Sequence, residues 1–219
     1  VLGHLPYGAS VQITALQKYS GDDDDGLSTG LLEELLGNGS GTKIDKMFAV
    51  CDYPLGVVDT TVVEKMINDS FGILGKSLVQ DYFESIASKD PTLYLVNDDW
   101  GGAVTYQLDH YHGVDGDEGL DCEYICKLFT HEDYQGLGVA RSIISKIVMQ
   151  KGPVVWRSSN NNGKAANFYS SVIEHYGGSM AEIPGYKVYM IGVDDDKKAE
   201  VVDAVAGMPV TMEANRTLQ

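Results

Sequence analysis

Basic residues are scarce in this chain: 16 Lys and Arg stand against 32 Asp and Glu, a formal net charge of -16 over 219 residues. A surface so negative repels nucleic-acid phosphates and anionic lipid, so neither nucleic acid nor membrane is expected as a partner. It also works against anionic ligands. Any phosphate or carboxylate must therefore be held by local N–H groups and a few well-placed cations. Cysteine is limited to Cys51, Cys122 and Cys126. Three cannot all pair within the chain, and the Cys122 to Cys126 spacing fits neither a CxxC redox motif nor a zinc knuckle; free buried thiols in a reducing, intracellular compartment are expected. No apolar run reaches the roughly 18 residues of a membrane helix. The opening Val1-Leu2-Gly3-His4 has neither a charged start followed by an apolar segment nor the Arg- and Ser-rich character of a transit peptide. Lacking an initiator Met, the sequence is expected to be a processed or cloned fragment.

What is present is the composition of a folded protein, 43% hydrophobic and 9% aromatic, long enough for one ordinary domain with an appendage. Residues 1 to 45 have the character of that appendage. Alternation over residues 9 to 15 suggests a strand, and a Gly-, Asp- and Ser-rich loop follows around Asp22-Asp23-Asp24-Asp25. An EF-hand beginning at Asp22 would put Leu27 where the invariant Gly belongs, which argues against calcium. Leu31 to Leu36 suggests a short helix, and Gly37 to Thr42 a linker or turn.

Residues 46 to 219 are more regular. Thr61 and Glu64 have the spacing of a capping box, and Leu78, Tyr82, Phe83 and Ile86 the spacing of a second helix. Strands are expected at Leu93 to Val96 and Ala103 to Leu108, joined by a hairpin turn at Trp100-Gly101-Gly102. An acidic Gly-rich loop covers residues 113 to 121, and an apolar strand Tyr124 to Thr130. A helix from Gly138 to Gln150 carries Val139, Ile143, Ile144 and Ile147 in one stripe. A strand over 153 to 158, a helix over 164 to 176 and a strand from Tyr186 to Val193 complete the order.

The chemistry concentrates at Gln135-Gly136-Leu137-Gly138-Val139-Ala140, between the apolar strand and its helix. Glycines there let backbone N–H groups approach a ligand, and the first-turn amides with the helix dipole attract phosphate oxygens. Neither a P-loop nor a Rossmann turn fits. The pattern matches the Gln/Arg-x-x-Gly-x-Gly/Ala signature of the GNAT superfamily of N-acyltransferases at Gln135, Gly138 and Ala140. Asn162-Gly163-Lys164-Ala165 followed by Tyr169 resembles that superfamily's second signature, Asn-x-x-Ala-x-x-x-Tyr. The resemblance sharpens to the acetyltransferase domain of N-acetylglutamate synthases of the vertebrate and fungal type. It rests on Ser70-Phe71-Gly72 with Lys76-x-Leu78-x-x-Asp81-Tyr82, on Tyr124-Ile125-Cys126-Lys127-Leu128, on Val155-Trp156-Arg157-Ser158, and on the tail Ala206-Gly207-Met208-Pro209. Ser10 to Thr14 and Gly39 to Thr42 resemble the closing strands of the amino-acid kinase domain that precedes the transferase there.

That resemblance implies an α/β GNAT fold, a mixed central sheet flanked by helices, over residues 46 to 219. It implies acetyl-CoA as cosubstrate, L-glutamate as acceptor and no metal. A homo-oligomer built through the missing kinase domain would follow, located in the mitochondrial matrix of a eukaryote or otherwise in the cytoplasm. Lys76, Lys127 and Arg157 would bind the glutamate carboxylates, a task suited to a guanidinium fork. Leu128, Phe129 and Thr130 on the strand and Gln135, Gly136, Leu137, Gly138, Val139 and Ala140 in the turn would hold the cofactor, with backbone N–H groups near Leu128 polarising the thioester carbonyl. Asn162 would lie near the reacting centre, and Tyr169 would protonate the departing thiolate. The alternative for Tyr169 is packing alone. The chain departs from the family pattern at Ser159, where a second Arg is usual, at Cys126, where an Asp is usual, at Gly163 in place of Pro, and at Tyr176-Gly177-Gly178 in place of Ser-Asp-Gly. These leave open another amine acceptor or a non-catalytic CoA-binding module. Glu123, His131 and Glu132 border the strand as candidate bases acting through water, and His110 and His112 beside Asp109 and Asp115 lack a third defined metal ligand.

Overall fold

A computed structural model describes residues 10–13, 42–45, 48–97, 99–108 and 120–214. The chain divides into two compact units, Val1–Phe48 and Ala49–Gln219. In the first, β1 (Ser10–Ile13) pairs antiparallel with β2 (Thr42–Asp45), Ser10 opposite Asp45. The expected aspartate-rich loop, the helix at Leu31 to Leu36 and the 109–119 stretch with His110 and His112 lie outside the described residues.

The second unit is built on a seven-stranded sheet. Its strands are β3 (Val50–Pro54), β5 (Thr92–Val96), β6 (Gly101–Gln107), β7 (Glu123–Thr130), β8 (Val154–Ser159), β9 (Ser179–Ile183) and β10 (Tyr186–Ile191), in the order β3-β5-β6-β7-β8-β10-β9. All neighbours are antiparallel except β7 and β8. A parallel pair needs a crossover, which α3 (Val139–Lys151) supplies. The remaining elements are α1 (Thr60–Gly72), α2 (Tyr82–Ile86), α4 (Gly163–Tyr176), α5 (Lys198–Ala206) and a two-stranded ribbon of β4 (Lys76–Leu78) with β11 (Met212–Ala214).

Strand alternation separates two faces. Val155, Val188 and Met190 join a core with Val63 and Ile67 of α1, Tyr82 of α2 and Val201, Ala204 and Val205 of α5. Trp156 and Tyr189 point the other way, stacked on each other with ring centroids 5.4 Å apart, and Tyr169 of α4 lies 5.1 Å from Tyr189. The stripe Val139, Ile143, Ile144 and Ile147 of α3 is fully buried. The helices α3 and α4 are tied by Tyr176 donating to Ser145 Oγ at 2.6 Å and Arg141 donating to Ser171 Oγ at 2.9 Å.

Four local expectations need correcting. Of the thiols expected to be buried, Cys122 is buried, Cys126 is half-buried and Cys51, on the edge strand β3, is exposed. The cap of α1 is Asp59, whose carboxylate accepts from the Thr61 N–H at 3.0 Å, so Thr61 sits inside the helix. Leu78 belongs to β4, because its N–H is taken by Asn68 Oδ1 at 2.7 Å and its strand pairs with β11, and α2 begins four residues later at Tyr82. Gly101 and Gly102 are strand residues rather than the hairpin turn. A Cβ at Gly102 would stand 2.5 Å from the Tyr94 carbonyl oxygen, and one at Gly101 2.7 Å from that of Phe129. Glycine is needed there for close approach of neighbouring strands.

Candidate active site

Strands β7 and β8 are paired over only three positions, Glu123 with Val154, Tyr124 with Val155 and Ile125 with Trp156. Beyond them β7 runs to Thr130 and β8 to Ser159 with no ladder between the two among the described residues. The pair therefore opens at its carboxyl end, the position where ligands bind in sheets with parallel strands.

A bulge marks the point of divergence. Thr105 is opposite Ile125 but Val104 is opposite Lys127, which leaves Cys126 as the extra residue. A bulge lets two consecutive side chains share a face and bends the strand. The first consequence is seen. Cys126 Sγ accepts a hydrogen bond from the Tyr82 hydroxyl at 3.1 Å, while Lys127 Nζ lies 4.6 Å from the centroid of the same Tyr82 ring. Regular alternation would have sent Lys127 to the opposite face.

Arg157 follows Trp156, so it projects to that same Tyr82 face. Its Nη1 donates to the carbonyls of Val205 at 3.1 Å and Met208 at 2.9 Å, its Nη2 donates to the Pro209 carbonyl, and its guanidinium lies 4.7 Å from the Tyr186 ring centroid. Lys127 is 4% exposed; its ammonium donates to Thr211 Oγ1 and, at 3.3 Å, to the Cys126 carbonyl. Burial pulls the Lys127 amine below its ordinary range, the nearby Cys126 pulls it back and the Arg157 charge lowers it further. The hydroxyls of Tyr82, Tyr106 and Tyr124 are all pushed up, first by burial and next by Cys126. They stay protonated and available as donors. Lys76 opens β4, opposite Ala214 of β11. Among the described residues none of the three cations forms an ion pair.

On the opposite face, Tyr169 is 9% exposed and its ring lies 5.6 Å from that of Trp156, the last residue of β8 paired with β7. Burial raises its hydroxyl well above the ordinary phenol range. Trp156 Nε1 is buried without a hydrogen-bond partner. Asn162 is the N-cap of α4; its side chain makes no capping bond, and its carbonyl accepts from the N–H groups of Ala165 and Ala166, both at 3.2 Å.

The turn from β7 into α3 meets the requirements of an anion cradle. Gly136 and Gly138 have φ of 80° and 92°, and a Cβ at either would find nothing within 4 Å. Glycine is needed for the backbone and the space beside it is open. Gly138 caps α3 with no side-chain bond, so the first-turn amides, which have no acceptor inside a helix, remain outward. Gln135 Nε2 donates to the Thr130 carbonyl at 3.4 Å, closing the loop on β7. Of the apolar residues assigned to the cofactor, Val139 in the turn has a buried side chain, Leu137 is exposed, and Phe129 on β7 lies against Gly102.

The candidate bases separate. Glu123 lies at the closed end of the β7–β8 pair, 1% exposed, and accepts from the Thr105 hydroxyl. It is thereby removed from the open end. His131 and Glu132 belong to the short turn after β7, where His131 Nδ1 accepts from the Asp133 N–H at 3.4 Å. Two contributors were missed by sequence reasoning, Thr211 and the carbonyls of residues 205 to 209. Their partners are far away in sequence, so no local pattern signals them. No group of three or more His, Cys, Asp or Glu side chains among the described residues could hold a metal ion.

A mixed sheet whose one parallel pair splays open, with a glycine turn leading from that pair into a helix, defines the GNAT class of N-acyltransferases. Residues 42–205 match the family model described as the N-acetyltransferase of N-acetylglutamate synthase, and the chain belongs to that family. Among solved structures, the ribosomal-protein-S18-alanine N-acetyltransferase of Escherichia coli is 12% identical, over 67% of this chain and 95% of its own, with a TM-score of 0.45. The diaminobutyrate acetyltransferase of Paenibacillus lautus is likewise 12% identical, over 67% and 96%, with a TM-score of 0.47. A GNAT-family acetyltransferase of Staphylococcus aureus is 13% identical, over 67% and 100%, with a TM-score of 0.44. No curated protein sequence matches the chain.

Proposed function

We propose that this chain transfers the acetyl group of acetyl-CoA to the α-amine of L-glutamate. The observation that carries the reading is the division of labour across the open end of β7 and β8. Lys127 and Arg157 lie on one face with no anionic partner among the described residues, while Tyr169 and the face that carries α3 lie on the other. A dicarboxylate acceptor suits the cationic face, and the glycine turn suits the phosphates of the donor. The neutral α-amine attacks the thioester carbonyl through the gap. Backbone N–H groups of β7 near Leu128 steady the oxyanion; as it collapses the C–S bond breaks and Tyr169 protonates the departing thiolate, while the proton shed by the newly bonded amine passes through water and restores the Tyr169 hydroxyl. Gly136 to Ala140 would hold the pyrophosphate, and Asn162 would position the reacting end.

Ser159 supports a second reading, transfer to a different amine. Its hydroxyl accepts from the Asn161 N–H at 3.3 Å and shapes the turn before α4, so the usual second Arg has no substitute there. Thiol release from acetyl-CoA across a panel of amino acids separates the two. Glutamate should be used with a kcat/KM well above those of aspartate, glutamine and lysine. Release with another amine and none with glutamate would establish the second reading; release with no amine would leave a non-catalytic CoA-binding module.

A further inference from the structure

The three cations assigned to the acceptor all meet a single stretch of chain, residues 205 to 214. Arg157 donates to three of its carbonyls, those of Val205, Met208 and Pro209. Lys127 donates to the Thr211 hydroxyl, and Lys76 sits in the strand that pairs with β11, opposite Ala214. From Ala206 to Ala214 no residue is buried, and Val210 is 61% exposed. Met208 and Met212 pack partly against the core, the Tyr106 hydroxyl lies 3.8 Å from Met208 Sδ, and the Gly207 and Met208 N–H groups bond back to α5; beyond these the contacts include those polar bonds, the Val79 N–H bond to the Thr211 carbonyl at 3.3 Å and three ladder positions. A segment with little buried apolar surface and a short ladder opens at low free-energy cost.

We propose that residues 206–214 form a displaceable strap whose carbonyls and hydroxyl occupy the cationic acceptor pocket and are driven out by the carboxylates of the incoming amino acid. The proposal rests on the glutamate reading above. The exchange is favourable because a carboxylate adds charge–charge attraction and a bidentate geometry that a neutral carbonyl or hydroxyl does not offer a guanidinium or ammonium. A ligand shifts such an equilibrium only by its differential affinity for the two states, and here the carboxylates meet Arg157 and Lys127 only once the strap has left. The strap thereby selects acceptors. A monocarboxylate satisfies fewer of the three cations and displaces it less.

Pinning the strap tests this. Ser77 and Glu213 are direct partners in the β4–β11 ladder, at a separation a disulfide can span. In S77C/E213C, the oxidised protein should lose at least tenfold in kcat/KM for glutamate, keep its thermal stabilisation by CoA, and recover on reduction. Equal kcat/KM in the oxidised and reduced forms would overturn the strap while leaving the glutamate reading intact. Should the double variant not fold, hydrogen exchange on the wild-type chain decides: saturating glutamate with CoA should speed exchange across 206–214, and unchanged or slower exchange refutes displacement. A wild-type chain that does not acetylate glutamate removes the functional reading, and the strap falls with it.

Discussion

Tyr169 and Lys127 lie on opposite faces of the sheet and are burdened differently by burial. For Tyr169 burial raises the hydroxyl, so it remains protonated at any working pH and can act only as a donor. Replacing it by Phe keeps the packing on Trp156 and Tyr189 and deletes only that donor. Tyr169→Phe should lower kcat by on the order of 10²-fold, with melting temperature and CoA affinity near wild type. Full turnover across the pH range would show the hydroxyl to be dispensable. Lys127 is the opposite case, a buried amine whose folded-state pKa is lowered. The unfolded chain binds this proton more tightly, so Lys127 disfavours folding at neutral pH, and the penalty fades as pH rises into the ordinary lysine range of about 10.4. Lys127→Met removes a buried charge that lacks an anionic partner among the described residues. It should raise the melting temperature most at neutral pH and progressively less toward alkaline pH, while lowering kcat/KM for glutamate more than tenfold. A variant less stable than wild type at neutral pH would mark Lys127 as a structural residue.

At the scale of elements, glycines do two unlike jobs around β7. Gly102 makes room: a side chain there would strike the Tyr94 carbonyl and the Phe129 ring. Gly138 makes a conformation, with φ of 92° and open space beside it. Gly102→Ala should therefore destabilise by about 1–3 kcal/mol or more through overpacking. Gly138→Ala should cost about 1–2 kcal/mol in backbone strain and also shrink the thermal stabilisation by CoA. Thermal denaturation with and without millimolar CoA checks both, and a Gly138→Ala protein with the full CoA shift would remove the phosphates from this turn. The elements legible beforehand were those with a local signal, such as the α3 stripe, the apolar run of β7 and the helix carrying Tyr169. Missed were the edge strands β3 and β9, the helix α5, and β4 and β11, the last two only three residues each and extended because they pair with each other across most of the domain. The cap of α1 was misplaced by two residues because Asp59 outcompetes Thr61 for the free N–H groups.

For the whole molecule, the net charge of -16 and the proposed polyanionic donor oppose each other. Helix-end amides act at short range, whereas the repulsion of the surface is long-range and screened by salt. CoA affinity measured by calorimetry should therefore hold or improve as ionic strength rises from about 0.01 to 0.1 M, over which the Debye length falls from about 30 to 10 Å. A several-fold weakening would mean that lysine and arginine contacts dominate CoA binding.

The amino-acid sequence by itself determined the glycine turn, the helical stripes, the acidic surface and the candidate chemical residues, because each is a matter of side-chain type and near-neighbour spacing. Tertiary structure alone decided where Cys126 becomes a bulge, since a strand's register belongs to its partner as much as to itself. It also decided that β7 and β8 part after three pairs and that Arg157 and Lys127 end on carbonyls and a hydroxyl of the 205–211 stretch. The Arg157 bond to Met208 and the Lys127 bond to Thr211 join residues 51 and 84 positions apart, a distance over which spacing carries no information and only the packed chain selects the partner.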